Sequence, residues 1–322
     1  MGWNMLFRAA CVVFAAAALP LPAHAQKYPS RQVTIVVPFA AGSATDAAAR
    51  MVAQHLQAAL GQTFVIENKA GANGVLAASS VARAAPDGYT LIITTNSTHS
   101  AIALFKSVPY DPIADFTPVA RFGSFPSFLA VNPNLPITTP QELVAYGKAN
   151  PGKLEYGSGN STGQVSGEVF KRRTGVNMVR VAYRSNPAAL TDLIAGHIGV
   201  MFPDFITGTP HVKAQKIRPL AVLTRERNSS LPDVPTLNET VMPGFDTIAW
   251  AGMFGPANMP REVVEILGRE LQKMVTTPET KSQLVSTGME VFWIGPEQFP
   301  DYVKSELVKW TSLIKEAGIE PE

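Results

Sequence analysis

Short apolar runs alternate with stretches of helical periodicity along the first part of the chain. Val33–Val37 is a β-branched run of the kind found in strands that are buried on both faces. From Asp46 to Leu60 the apolar residues recur at helical spacing, and Gly61 ends that helix. The alternation continues with a strand, a helix and a strand at Phe64–Ile66, Gly74–Ala84 and Tyr89–Thr95. This order predicts a parallel sheet with right-handed crossovers.

A second run of the same kind begins at Phe128. Its predicted strands are Phe128–Val131, Leu154–Tyr156, Val179–Tyr183, Ile198–Phe202 and Leu220–Leu223. Its predicted helices are one that starts at the capping box Thr139-Pro140-Gln141-Glu142 and stops at Pro151-Gly152, then Gln164–Thr174 and Pro187–Ala195. The rest of the chain reads as strands at Ile248–Phe254 and Glu290–Ile294 and helices at Arg261–Val275, Glu279–Thr287 and Glu297–Ala317.

The order of these elements predicts two lobes. The second α/β unit lies inside the chain, so the C-terminal helices must pack back on the first unit. We expect residues 26–126 and 248–322 to form lobe 1 and residues 127–247 to form lobe 2, each a mainly parallel sheet flanked by helices. Because the chain crosses between the lobes twice, a hinged cleft should lie between them.

Composition narrows the classes of function. The chain has 322 residues, of which 46% are hydrophobic, and carries 27 Lys and Arg against 25 Asp and Glu. A charge of +2 gives no basic face for nucleic acid. A single cysteine excludes a disulfide framework, and the histidines show no metal-ligand spacing. We therefore expect no metal, no cofactor and no nucleic-acid partner.

Residues 1–25 have the pattern of a secretory signal peptide. Arg8 precedes an apolar stretch, and Ala23-His24-Ala25 supplies a small-x-small cleavage site. A buried N-terminal helix is the alternative. A lipid anchor on Cys11 is disfavoured, because Arg8 stands where a lipobox has an aliphatic residue. The pattern predicts an exported protein, located in the periplasm.

Two loops between a strand and a helix are rich in glycine and hydroxyl groups, namely residues 39–46 and 157–164. In open parallel sheets, ligands bind beyond the carboxyl ends of the strands, and a helix N-terminus favours an anion. Neither loop contains Lys or Arg, so oriented amides and hydroxyls would hold a carboxylate. Plain N-capping is the alternative for each loop. The candidate ligand-binding residues in these loops are Phe39, Gly42, Ser43, Thr45, Asp46, Ser158, Asn160, Ser161, Thr162 and Gln164.

Other strand ends add Ser97, Tyr183, Arg184 and Asp204 as candidates. Arg184 would pair with a second carboxylate or lie in solvent. Asp204 would accept a hydrogen bond from a ligand or cap the next segment.

An enzymatic alternative comes from the loop 159–163, which matches the G-x-S-x-G nucleophile elbow. Ser161 would be the nucleophile, with Asp204 and His211 following in hydrolase order. However, no oxyanion motif precedes the serine, and Asp204 lies only seven residues before His211. We therefore expect a binding protein rather than an enzyme.

Ordered motifs across the predicted mature chain resemble those of the Bug family, the periplasmic solute receptors of tripartite tricarboxylate transporters. They include residues 28–31, 36–42, Asp46, 67–74, 86–91, 188–196, 231–237, Trp250 and 255–257. The resemblance implies a type II periplasmic-binding-protein fold that closes around a small carboxylate or dicarboxylate, gripped by the loops 39–46 and 157–164. It also implies membrane subunits of a transporter as partners for what we expect to be a monomer. A receptor that serves a signalling partner is a further alternative.

Two departures from the family pattern leave the ligand open. Gln164 stands where many relatives have histidine, and Tyr183-Arg184-Ser185-Asn186-Pro187 replaces a pattern of tyrosine, basic residue and glycine. An aromatic carboxylate is as compatible with the sequence as an aliphatic one.

Overall fold

The computed structural model describes residues 28–321. The predicted signal peptide lies outside the described residues. Two sheets, each with helices packed on it, account for eleven strands in the described part of the chain. A two-lobed α/β fold is therefore confirmed.

The first sheet contains six strands in the order β11-β4-β10-β3-β1-β2. Their bounds are Val33–Val37 (β1), Phe64–Asn68 (β2), Thr90–Thr95 (β3), Phe116–Phe125 (β4), Ala249–Pro256 (β10) and Glu290–Ile294 (β11). β1 pairs in parallel with β2 and β3, whereas β10 runs antiparallel to β3 and β4, and β11 antiparallel to β4.

The second sheet contains five strands in the order β7-β6-β8-β5-β9. Their bounds are Phe128–Val131 (β5), Leu154–Ser158 (β6), Met178–Ala182 (β7), Val200–Met201 (β8) and Arg218–Val222 (β9). β6 pairs in parallel with β7 and β8, and β5 runs antiparallel to β8 and β9.

Ten α-helices flank the sheets within residues 28–321. They are α1 (Ala44–Leu60), α2 (Val75–Ala82), α3 (Asn96–Leu104), α4 (Pro140–Ala149), α5 (Ser161–Thr174), α6 (Asn186–Ala195), α7 (Phe205–Lys213), α8 (Arg261–Thr276), α9 (Pro278–Ser286) and α10 (Phe299–Glu316). The described residues contain no helix long and apolar enough to cross a bilayer.

The predicted capping box at Thr139 is confirmed. The Thr139 hydroxyl accepts the N–H of Glu142 at 3.1 Å, and the Glu142 carboxylate accepts the N–H of Thr139 at 3.2 Å. Three elements escaped prediction, namely β4, α3 and α7. β4 carries Pro118 and Gly123, and α3 begins with a run of hydroxyl and amide residues, so neither shows a clean period.

The expectation of mainly parallel sheets needs a correction, because both sheets are mixed. The parallel pairs come from β-α-β units, as the alternation predicts. The antiparallel pairs join strands at the lobe crossings: β4 leads through Pro126 and Ser127 directly into β5, and β10 brings the chain back beside β3 and β4. A strand that enters from the other lobe is not joined to its neighbour by a β-α-β unit, so it can pair in the antiparallel direction. The exact limits of the lobes stay a prediction.

The C-terminal helix contributes to the cores of both lobes. Phe299 and Val303, near the start of α10, pack with Trp250 and Phe254 of the first sheet. Trp310, Ile314 and Ala317 belong to the core that contains residues from β5, β6, β8 and β9. α10 therefore bridges the lobes as a third connection, in addition to the two crossings of the chain.

Candidate functional site

A cavity lies where the two sheets meet. It is lined by the ends of β3, β4 and β10 and by the first turns of α1, α5, α6 and α7. The lining residues are Phe39, Ser43, Ala44, Thr45, Thr95, Phe125, Ser127, Gly159, Asn160, Thr162, Asn186, Asp204 and Ala249. Both predicted loops contribute to the lining, so the cavity is the strongest candidate for the ligand site.

The loop after β1 is held in shape by its own side chains. Ser43 caps α1, and its hydroxyl accepts the N–H of Asp46 at 3.2 Å. The Asp46 carboxylate accepts hydrogen bonds from the N–H of Gly42 at 2.9 Å, from Asn68 at 2.9 Å and from Arg50 at 3.0 Å. Burial alone would raise the pKa of Asp46, but these hydrogen bonds outweigh it and lower the pKa. Asp46 therefore organises the loop rather than lining the cavity.

The first turn of α1 presents amide groups to the cavity. A helix leaves its first N–H groups without partners inside the helix. Ser43 takes the N–H of Asp46, whereas Ala44 and Thr45, which precede it, line the cavity. Their N–H groups lie at the positive end of the helix dipole. This end of the cavity is suited to an anion.

The first turn of α5, on the second lobe, is likewise a capped helix N-terminus whose residues line the cavity. Asn160 is the N-cap, and its Oδ1 accepts the N–H of Gly163 at 2.8 Å. Asn160 and Thr162 line the cavity, and Thr162 is buried. Two helix N-termini, one from each lobe, therefore converge on the same space.

Gly159 allows the loop after β6 to approach the start of α6. A Cβ atom at this position would lie 2.3 Å from the backbone nitrogen of Asn186, a distance that real side chains do not tolerate. Gly159 and Asn186 both line the cavity. The absence of a side chain at residue 159 therefore positions Asn186 beside the ligand space.

Asp204 and Asn186 form a polar pair in the cavity wall. The amide Nδ2 of Asn186 donates to Oδ2 of Asp204 at 2.7 Å, and Thr207 donates its N–H and hydroxyl to Oδ1 at 2.8 and 2.9 Å. Both side chains are buried. Burial raises the pKa of Asp204, and the hydrogen bonds from Thr207 and Asn186 offset this only in part. Asp204 also caps α7, as one of its two interpretations predicts, whereas its contact with a ligand stays a prediction.

The lining is nearly free of charge. Asp204 is the only residue with a formal charge among the described residues that line the cavity, and none of them is Lys or Arg. A ligand carboxylate would therefore be held by N–H groups and hydroxyls, as the composition of the loops predicts.

Three predicted ligand residues instead join the lobes to each other. The hydroxyls of Ser97 on α3 and Ser161 on α5 are 2.7 Å apart. Gln164 accepts a hydrogen bond from Asn73 at 3.4 Å. A further bond runs from Asn96 to Thr162 at 3.3 Å. These bonds cross the cleft beside the cavity, so they hold the lobes together around it.

Other predicted residues lie away from the cavity lining. Ser158 is buried and accepts a hydrogen bond from Arg180 at 3.2 Å. The Tyr183 hydroxyl donates to Asp192 at 2.7 Å. Arg184 and Gly42 are exposed. Phe39, Ser43, Thr45, Asn160, Thr162 and Asp204 are the predicted residues that line the cavity.

Sequence reasoning missed Thr95, Phe125, Ser127, Asn186 and Ala249 as lining residues. Thr95 and Asn186 lie at predicted strand ends, and their position there was a usable signal. Phe125 and Ser127 flank the first crossing between the lobes, where no local pattern marks a site. Ala249 is a small residue in a strand, and only the pairing of β10 brings it to the cavity.

The esterase alternative finds no support in the geometry. The partner of the Ser161 hydroxyl is Ser97, and Asp204 is bonded to Thr207 and Asn186. Among the described residues, no group of His, Cys, Asp and Glu is arranged to hold a metal ion.

The two lobes, the cleft between them and the paired helix N-termini define a class of protein, the two-lobed solute-binding receptors. The comparisons with known proteins give the family. The family model described as "Tripartite tricarboxylate transporter family receptor" matches residues 48–319. The chain belongs to this family, so the resemblance seen in its motifs is confirmed.

Three solved structures show the likeness in detail. Rpa4515 of R. palustris, solved with adipate, is 36% identical, with 92% of this chain and 100% of that chain covered and a TM-score of 0.89. The periplasmic binding protein BugD is 32% identical, with 92% and 100% covered and a TM-score of 0.87. MatC of Rhodopseudomonas palustris, solved with malate, is 32% identical, with 89% and 100% covered and a TM-score of 0.83.

Proposed function

We propose that this protein is a periplasmic receptor that captures a small carboxylate for the membrane subunits of a tripartite tricarboxylate transporter. The observation that carries the proposal is the convergence of the α1 and α5 N-termini on one cavity without a cationic side chain. The relatives solved with adipate and with malate support a carboxylate as the ligand. Membership of the receptor family supports the transporter as the partner.

The mechanism is capture without chemistry. In the open form, a carboxylate of the ligand meets the N–H groups of Ala44 and Thr45 and the hydroxyl groups beside them. Closure then brings the first turn of α5 onto the same ligand. The bonds between Ser97 and Ser161 and between Asn96 and Thr162 form in the closed state. The ligand shifts the population toward the closed form, which the membrane subunits then bind.

A thermal-shift screen tests the class of ligand. Succinate, malate, adipate and benzoate represent short, hydroxylated, long and aromatic carboxylates. A carboxylate that binds the native state raises the melting temperature in proportion to the logarithm of its concentration above Kd. Amides of the same acids serve as controls, because they keep the shape but lose the charge. Equal stabilisation by acids and amides would reject the anion site.

A substitution at Thr162 tests the location of the site. Thr162 is buried in the cavity wall, so Thr162→Phe fills the space in front of the α5 N-terminus. We expect calorimetry to show no binding for Thr162→Phe and nearly unchanged binding for Thr162→Ser, which keeps the hydroxyl group. Circular dichroism checks that both variants fold. Micromolar binding by Thr162→Phe would show that the ligand lies elsewhere.

A further inference from the structure

A second cavity lies between the helices α1, α8 and α9 and shares no lining residue with the cavity where the two sheets meet. Among the residues that line it, Gln54, Ala58 and Gln283 are exposed. Met274 and Leu284, which also line it, are buried. Solvent and small solutes can therefore enter this space and reach its buried wall.

One hydrogen bond in the wall of this cavity joins α1 to α8. Nε2 of His55 lies 2.9 Å from the backbone carbonyl oxygen of Glu270. A carbonyl oxygen accepts hydrogen bonds and cannot donate them, so Nε2 carries the proton. In the neutral ring the lone pair is then on Nδ1, which takes no part in this bond. His55 can therefore act as a metal ligand through Nδ1.

The same hydrogen bond brings two methionines near His55. In an α-helix the carbonyl of residue 270 faces the N–H of residue 274, so the bond to Glu270 places the His55 ring at the level of Met274. Met51 lies four residues before His55 on α1, and side chains at this spacing share one face of a helix. Met51, His55 and Met274 all line the cavity. Two thioether groups and one imidazole therefore border a single space.

These three potential ligands are soft and uncharged. Thioether and imidazole groups suit Cu(I), whereas Mg²⁺, Ca²⁺ and Mn²⁺ prefer carboxylate and carbonyl oxygens. No Asp, Glu, Lys or Arg occurs among the described residues that line the cavity, so no side chain there would offset the charge of a divalent ion. The spacing of the histidines excludes a site built on several histidines, but not one built on a single histidine and two methionines.

The hydrogen bond to Glu270 also gives His55 the support that a metal-bound histidine has in other proteins. Such a histidine almost always donates its second ring N–H to a carboxylate, a backbone carbonyl or a water, which fixes its tautomer and orientation. His55 donates its Nε2–H to a carbonyl of α8, the helix that also carries Met274. The imidazole is therefore held in place relative to one of the two thioethers before any ion binds.

We propose that Nδ1 of His55 and the sulfur atoms of Met51 and Met274 bind Cu(I). The bound ion links α1 to α8 and stabilises the native state. Ag(I) has the same charge and a similar preference for soft ligands, so it serves as a probe that does not change its oxidation state. This site goes beyond the proposed function, because it shares no residue with the candidate carboxylate site.

Thermal-shift measurements with Ag(I) and titrations with Cu(I) test the proposal on the full chain. Every protein carries Cys11→Ser, which removes the single thiol of the chain. In chloride-free buffer we expect Ag(I) to raise the melting temperature, because an ion that binds the native state stabilises it. Mg²⁺ and Ca²⁺ at the same concentration should leave the melting temperature unchanged. Competition against a chromogenic Cu(I) chelator, without oxygen and with ascorbate, should give a Kd for Cu(I) below about 1 μM.

Met51→Leu and Met274→Leu each remove one sulfur atom from the cavity. Leucine has nearly the volume of methionine, so both variants should keep the fold. Each should weaken the binding of Cu(I) and Ag(I) by about tenfold or more. The matched control is Met178→Leu, because Met178 is a buried methionine of β7 in the core of the second lobe. It should leave both affinities unchanged.

X-ray absorption at the copper edge identifies the ligands directly. The chain with both methionines should show two sulfur neighbours and one nitrogen neighbour around Cu(I). Met51→Leu and Met274→Leu should each show one sulfur neighbour fewer. His55→Phe, which keeps an aromatic ring but has no ring nitrogen, should lose the nitrogen neighbour.

Several results would overturn this site. Failure of both Ag(I) and Cu(I) to bind is one. Full affinity in Met51→Leu and Met274→Leu is another, because the ion would then lie elsewhere on the chain. An equal loss of affinity in Met178→Leu would show that the ions bind to methionines without regard to place. Each of these results would leave the proposed function intact, because the two cavities have no residue in common.

Discussion

His99 shows how burial of a single residue affects the whole protein. It lies on α3, directly after the residues that reach across the cleft, and its ring lies 4.9 Å from that of Phe254 and 5.3 Å from that of Trp250. Burial lowers the pKa of His99 to about 4, and the backbone carbonyl of Thr95 offsets this only slightly. The native protein therefore keeps this ring neutral across the physiological range.

This burial predicts a specific loss of stability in acid. The unfolded chain takes up a proton on His99 below a pH of about 6.5, whereas the native state resists it until about 4. The stabilisation that neutral His99 gives is complete above the unfolded pKa and is lost as the pH falls through this window. Its loss should lower the free energy of unfolding by roughly 3 kcal/mol. Urea melts at several pH values, compared between the native chain and His99→Phe, measure this term.

The two proteins are compared by how steeply their free energy of unfolding changes with pH, and not by its absolute value. His99→Phe keeps an aromatic ring among Phe116, Trp250 and Phe254 but has no titratable group. Its unfolding free energy should fall less steeply between pH 6.5 and 4 than that of the native chain. Parallel slopes would mean that His99 is protonated equally in the two states.

At the scale of the element, two glycines beside the first turn of α5 have different surroundings. A Cβ at Gly159 would clash with the backbone of Asn186 at 2.3 Å. At Gly163, inside the helix, the nearest atom would be 3.5 Å away, which is ordinary contact. The two positions are four residues apart, so they form a matched pair.

We expect Gly159→Ala to separate the loop after β6 from α6, to lower the free energy of unfolding by about 1–3 kcal/mol, and to weaken ligand binding. Gly163→Ala should instead be neutral or stabilise by up to about 1 kcal/mol, because alanine favours the helix. Urea melts and calorimetry on both variants measure these effects. The account of Gly159 would fail if both variants retained the affinity and stability of the native chain.

At the scale of the whole molecule, the lobes are linked by α10 and by hydrogen bonds across the cleft. α10 packs in both cores. The bond between Ser97 and Ser161 is buried, and it joins residues that lie 64 positions apart in the chain. Because this bond spans the cleft, we expect it to stabilise the closed form even without a ligand.

Ser161→Ala should therefore shift the ligand-free protein toward the open form and weaken ligand binding by about two- to tenfold, since one hydrogen bond is lost. Small-angle scattering without ligand measures the change as a larger radius of gyration. The control is Ser166→Ala on the same helix, because the Ser166 hydroxyl is buried without a partner. An unchanged radius for Ser161→Ala, or the same increase for Ser166→Ala, would contradict this role for the bond.

The sequence by itself determined the features that depend on near neighbours. Helical spacing and an N-cap hydroxyl or amide are short-range signals. The start of α4, the start of α1 to within two residues and the two glycine-rich loops could therefore be read from the sequence. The loops also indicated a site for an anion without a cationic side chain, because they contain glycine and hydroxyl residues but no Lys or Arg.

Only the tertiary structure decided which groups meet. The antiparallel placement of β10 between β3 and β4, the pairing of Ser97 with Ser161 and the contact of Asn186 with Asp204 join residues far apart in the chain. No local pattern encodes such a contact, since its free energy depends on the packing of both lobes. For this reason the sequence placed Asp46 in its loop but did not show that its carboxylate holds that loop in shape. The hydrogen bond between Asn186 and Asp204 likewise emerged only from the fold.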